Sequence, residues 1–185
     1  PGALREYRAT HAILERLASA DPSNAEWQSD LSVSHERVGD VLRAQGELPG
    51  ALREYRASLA IAERLASADP SNATWQRDLS VSHNKVGDVL LAQGELPGAL
   101  REYRASLAIA ERLALADPSN ATWQRDLWVS CWRMAVMSER LAPSEAASWW
   151  RRAYETLRGM RERGLHVSPQ DMGFLEQLRR KVEGG

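Results

Sequence analysis

Histidine, serine, cysteine and tryptophan are the residues of this chain that could carry chemistry. Ser32-Val33-Ser34-His35-Glu36 holds the letters of a nucleophile, base and acid. A hydrolytic serine needs a sharp turn that lifts its hydroxyl clear of the backbone, and this segment has none. His35 and His83 recur one repeat apart, where a packed or partly exposed structural role is expected. A metal would need further ligands at workable spacing, and neither His11 nor His166 stands at such spacing from them. Cys131 replaces the histidine in the third repeat and has no histidine near it in sequence, so a nucleophilic role is not expected. No glycine-rich phosphate loop is present. Trp27, Trp75 and Trp123 recur with the same period and are expected as core aromatics between helices. These residues predict no catalytic, cofactor or metal site.

Composition narrows the partners. The formal net charge is -1, and Arg and Glu alternate, as in Arg53-Glu54 and Glu63-Arg64. Phosphate binding needs a local surplus of cations, so a nucleic-acid partner is not expected. The alternation suits solvated helix faces carrying pairs three or four residues apart. A single cysteine allows no intrachain disulfide. No apolar run approaches the ~18 residues that span a bilayer. The expectation is a soluble, cytoplasmic segment with no membrane partner.

These residues are positioned by a repeat. Pro-Gly-Ala-Leu-Arg-Glu-Tyr-Arg begins at Pro1, Pro49 and Pro97, a period of 48 residues. Residues 1–48 and 49–96 differ at eight positions, and residues 49–79 and 97–127 differ only at Ser67 versus Leu115. A period of this kind signals stacked supersecondary units. Each unit carries two amphipathic stretches. Trp75, Leu79, Ser82, Val86 and Leu90 step by three and four, as do Ala99, Tyr103, Ser106, Ala110 and Leu113. Gly94 is placed to end one helix in a left-handed conformation, and Pro97 sits just inside the next. Asp69-Pro70-Ser71-Asn72 stops the other helix, and Ser71 or Asn72 caps its successor. Connections of four or five residues make consecutive helices antiparallel neighbours. No period-two pattern occurs, so no strand is predicted.

Val86-Gly87, Gly94, Ala99, Tyr103 and Pro118 resemble the tetratricopeptide signature, as do Val38-Gly39, Gly46, Ala51, Tyr55 and Pro70. Small residues allow a close helix crossing, and the tyrosine fills the space beside them. The family's usual unit is shorter, and the extra residues divide as seven in each helix. Seven residues are two turns with a drift of only ~20°. Each helix therefore keeps its face while reaching about 20 residues. The resemblance implies an all-α solenoid of antiparallel helix pairs, stacking right-handedly, used for protein or peptide recognition.

The third unit decays: Ala135, Val136 and Ser138 stand where Gly87, Asp88 and Leu90 stood. Ala146, Trp150 and Ala153 continue the pattern after a turn one residue shorter. Ser168-Pro169-Gln170-Asp171 then opens a last amphipathic helix with Phe174, Leu175, Leu178 and Val182. The expected organisation is an array over 1–163 (units 1–48, 49–96 and 97–144, partial unit 145–163) and a C-terminal cap helix over 164–185. Pro1 is expected to open a second helix whose first-helix partner is missing. Leu4, Tyr7 and Leu14 are then expected as exposed apolar surface, inviting self-association.

Near-identical units differ where packing leaves freedom. Glu26/Thr74, Ser29/Arg77, Glu36/Asn84 and Arg43/Leu91 lie on one stripe of the first helix, although Ser23-Asn24-Ala25-Glu26 also reads as a capping box. In the family the equivalent stripe lines a concave groove. The candidate peptide-binding groove is Ser29, Val33, Glu36, Asp40 and Arg43, then Arg77, Val81, Asn84, Asp88 and Leu91, then Arg125, Val129 and Trp132, with Val136 and Glu139 beyond. A polar segment with an apolar anchor at one end would match it. The rival for Trp132 is burial under residues 169–183. Rival functions are a self-assembling structural array, or the sensor or regulatory arm of a larger signalling or protease-like protein.

Overall fold

The computed structural model describes residues 2–183, leaving aside the side chains of residues 2 and 3. Among the described residues there are eight helices and no strand. They are α1 (Gly2–Ala20), α2 (Ala25–Ala44), α3 (Leu48–Ala68), α4 (Ala73–Ala92), α5 (Leu96–Ala116), α6 (Ala121–Leu141), α7 (Pro143–Glu162) and α8 (Pro169–Glu183). In order along the chain, α1 packs on α2, α2 on α3 and α3 on α4, and likewise α6 on α7 and α7 on α8, and the fold is an all-α solenoid. Two compact units are present, residues 1–102 and 103–185, so α5 begins in unit 1 and ends in unit 2. Pro1 lies outside the described residues, as do residues 184–185 of the expected cap.

The sequence punctuation acts as its chemistry requires. Gly46 and Gly94 have φ of +80° and +81°, which a side chain would resist. At Asp-Pro-Ser-Asn the cap is asparagine, not serine. Asn24, Asn72 and Asn120 accept from the backbone N–H of Trp27, Trp75 and Trp123. The preceding serines instead donate to Asp21, Asp69 and Asp117. Those side-chain and backbone hydrogen bonds hold each aspartate below its ordinary pKa. Glu26 therefore sits at the second helical position, and the capping-box reading from Ser23 is corrected. Trp27, Trp75 and Trp123 also differ from expectation. They are half-buried at the helix starts rather than in the core. The next residue does the tying. Buried Gln28, Gln76 and Gln124 donate from Nε2 to the carbonyls of Ala18, Ala66 and Ala114 at 3.1, 3.0 and 2.9 Å. Each amide satisfies a carbonyl that the end of a helix leaves without a partner.

Loop lengths depart from the expected four or five residues in four places, and residues 45–47 and 93–95 make connections of only three. Ala142 alone joins α6 to α7, and residues 163–168 join α7 to α8. The apolar surface of α1 departs too. Leu4, Tyr7 and Leu14 are half-buried, and Ile13 and Leu17 are the exposed residues, at 50% and 36%. Tyr7 and Leu14 face α2, where they line an open cleft of about 440 Å³ with Asp30, Ser34 and Arg37.

Candidate functional site

In unit 1 the crossing of α2 and α3 is set by Gly39. A Cβ there would stand 2.7 Å from Tyr55 Cε1, well inside contact distance. Tyr55 is fully buried, and its hydroxyl donates to Asp40 Oδ1. Lys85 of α4 lies 5.5 Å from the ring centroid and donates to the same carboxylate. Burial and the Asp40 hydrogen bond raise the Tyr55 pKa far above its usual value, so the phenol remains a donor. Burial pushes Asp40 up, but hydrogen bonds from Lys85 and Tyr55, with the charges of Lys85 and Arg43, hold it below the ordinary carboxylate value.

The stripe on α2 meets α4. Glu36 accepts from Ser58 and Ser82 at 3.3 and 3.1 Å. Burial raises its pKa despite the nearby Lys85 charge and both serine hydroxyls. Arg43 reaches Asp88 at 3.8 Å. Three of the five α2 stripe residues thus bridge to α4. Ser29 is half-buried, while Val33 is 44% exposed in the middle of the row. On α4, Arg77, Val81, Asn84, Asp88 and Leu91 are all half-buried.

In unit 2 the last helix lies along the α6 stripe. Arg125 donates to Asp171 of α8 at 2.6 and 3.2 Å, and Asp171 is almost wholly buried. The Phe174 ring stands 5.8 Å from Trp128 and 6.4 Å from Trp132. Trp128 is the buried member. Trp132 is half-buried and, with Val129, Arg133 and Phe174, borders a pocket of about 130 Å³. Val136 is half-buried, and Glu139 is exposed and accepts from Lys181 and Trp150. Cys131 is fully buried, and burial pushes its thiol up to about 12, leaving it unreactive at neutral pH.

Residues 36–71, which hold the Gly39–Tyr55 crossing, match the tetratricopeptide repeat family. The chain is a helical repeat protein that is TPR-like over that segment. No curated protein matches it in sequence. Among solved structures it is similar to BtubC (BKLC) from P. vanneervenii, with 13% identity and a TM-score of 0.52 over 98% of this chain and 81% of that one. It also aligns with the de novo designed helical repeat protein DHR64, at 15% identity and a TM-score of 0.35 over 98% of this chain and 92% of that one. The first likeness is one of fold.

The TPR-like packing also brings together residues that spacing along the chain had kept apart. His11 of α1 lies against His35 of α2, with ring centroids 4.4 Å apart. His35 Nδ1 lies 2.8 Å from Glu54 Oε2 of α3. Sequence separation gave no ligand pattern for His11, because the grouping depends on how three helices are rotated about their axes. The signal that could have found it is the difference between units: Leu59 occupies in the second the place of His11 in the first.

Proposed function

We propose that this TPR-like chain is a non-catalytic scaffold that binds a protein or peptide along the first-helix stripes. One observation carries the proposal. Val33 is an apolar residue 44% exposed in a row where Ser29, Glu36 and Arg43 change between nearly identical units. Solvent-facing apolar side chains flanked by variable polar ones suit recognition of an extended or helical segment. In unit 2 the half-buried Trp132, beside the small aromatic pocket, suits the apolar anchor of a bound segment. The test is a peptide-display selection on the wild-type chain, followed by affinities for variants. Val33→Glu and Trp132→Ala should each weaken the selected peptides by ~2 kcal/mol or more while leaving thermal unfolding close to wild type. Equal weakening by Ile13→Glu, which lies off the stripe, would overturn the assignment. A loss of folding stability from Trp132→Ala of ~3–5 kcal/mol would make that residue core instead.

A second reading is self-association through α1. Ile13 is 50% exposed, whereas Ile61, its counterpart one repeat on, is 5% exposed. With Leu17 it forms an uncovered apolar ridge. Sedimentation over a range of concentrations should show mass increasing for wild type and a monomer for Ile13→Glu. A monomeric wild type at millimolar concentration would overturn this reading.

A further inference from the structure

We propose that His11, His35 and Glu54 form a binding site for a divalent transition metal of the zinc class, joining α1, α2 and α3. One donor atom from each of the three residues lies within 4.8 Å of the others. Donors around a tetrahedral zinc at ~2.0–2.1 Å stand about 3.3 Å apart. Binding requires side-chain rotations that close this difference. The two histidine side chains are 15% and 14% exposed and the glutamate 26%, so the ligands are held by packing yet open to an entering ion. Two imidazoles and one carboxylate favour zinc, cobalt, nickel or copper over magnesium or calcium, which prefer all-oxygen sites. Outer contacts are already in place. His11 Nδ1 lies 3.2 Å from Ser34 Oγ, which orients the ring. Glu15 Oε1 lies 3.5 Å from His11 Nε2 and offers a further carboxylate.

The second repeat separates this site from ordinary packing. His83 Nδ1 lies 2.8 Å from Glu102 Oε2, the same distance as in the His35–Glu54 pair. That pair is therefore a feature of the repeat itself. What the first repeat adds is His11, in the place where the second has Leu59. The third ligand is thus a departure from the repeat, and it completes a donor set that a leucine leaves at two.

Cobalt(II) titration tests the assignment through its visible absorption, with zinc competition and thermal unfolding alongside. Wild type should bind one cobalt per chain with a tetrahedral-type spectrum, and zinc should displace it and raise the unfolding temperature. His11→Leu copies the residue that the second repeat already accommodates. It should fold, lose the cobalt spectrum and show no zinc-dependent rise. Glu54→Gln keeps the side-chain shape and should weaken cobalt binding by at least about tenfold. His166→Gln should behave as wild type. Wild-type cobalt binding in both His11→Leu and Glu54→Gln would overturn the proposal. So would the absence of any cobalt spectrum in wild type.

Discussion

The seam between α2 and α4 in unit 1 and the seam between α6 and α8 in unit 2 join equivalent elements in different chemistry. Glu36 meets Ser82, and Asp40 meets Lys85, at separations of 46 and 45 residues. Arg125 meets Asp171 at the same separation of 46. The helix relation is shared, yet unit 1 fills its seam with serines, carboxylates and a lysine, while unit 2 sets Trp128 against Phe174 between the Arg125–Asp171 and Lys181–Glu139 pairs. Directional hydrogen bonds fix the register of one helix on the next, because a displaced donor or acceptor is left unsatisfied. Aromatic surface stabilises by area and tolerates small sliding. The α2–α4 seam is thus specified by polar matching, and the α6–α8 seam adds aromatic burial to its ion pairs. The crossings differ in the same way. Gly39 admits Tyr55, whereas the third repeat has fully buried Ala135 and buried Trp150 at the corresponding sequence positions, after a turn reduced to Ala142.

The contrast between the seams breaks most directly at Trp128. Trp128→Ala should destabilise unit 2 by ~3–5 kcal/mol in denaturant unfolding, because it empties a buried aromatic site. A loss below ~1 kcal/mol would show that α8 does not depend on aromatic burial. At the crossings, Gly39→Ala should cost ~1–3 kcal/mol, since its methyl group meets the Tyr55 ring and both sit in a packed core. The reverse change, Ala135→Gly, should cost about 1–2 kcal/mol through helix propensity and the loss of one buried methyl. Equal effects at the two sites would erase the distinction between them. Asp171→Asn should cost about 1 kcal/mol, because Arg125 is half exposed and its charge can return to water.

The smallest expected effect sharpens the polar seam. Burial raises Glu36 above its ordinary carboxylate value, so between the two values the folded protein holds a proton that the unfolded chain has released. Glu36 therefore favours folding most at low pH, and this contribution fades as pH rises through its raised pKa. Asp40 acts oppositely. Its pKa is lowered, so its contribution is present above the unfolded value of about 3.8 and is lost as pH falls through the folded value. Glu36→Gln should change neutral-pH stability by less than ~1 kcal/mol and should leave only the Asp40-type acid loss in a pH series.

Much of the fold was readable because the repeat states each rule three times. The helix pairs and the left-handed glycines followed from the repeat and its punctuation, while helix lengths and the small residues at the crossing followed from the resemblance to the tetratricopeptide signature. The choice of Asn72 over Ser71 as cap was not readable, since both side chains suit the position and only the aspartate two residues earlier decides which is free. Trp75 looked like core from its size, but it lies at the first turn, where a helix end meets solvent. Gln76, beside it, carried no apolar signal and is the buried one. At the candidate site, the stripe positions were legible as a row on a helix. Their engagement with the next helix was not, because Glu36, Ser58 and Ser82 come from three helices whose relative rotation no local pattern encodes. Trp132 stayed between its two sequence readings, half covered by Phe174.

The glutamine ties have a consequence for how such a chain grows. Each of Gln28, Gln76 and Gln124 grips a carbonyl only ten residues earlier. As the polypeptide emerges during synthesis, a helix end and the amide that closes it leave the ribosome within moments of each other. The corner can therefore set before the rest of the following helix has been made. A tandem duplication copies the corner whole, so a newly gained repeat arrives with its own latch and asks nothing of distant sequence.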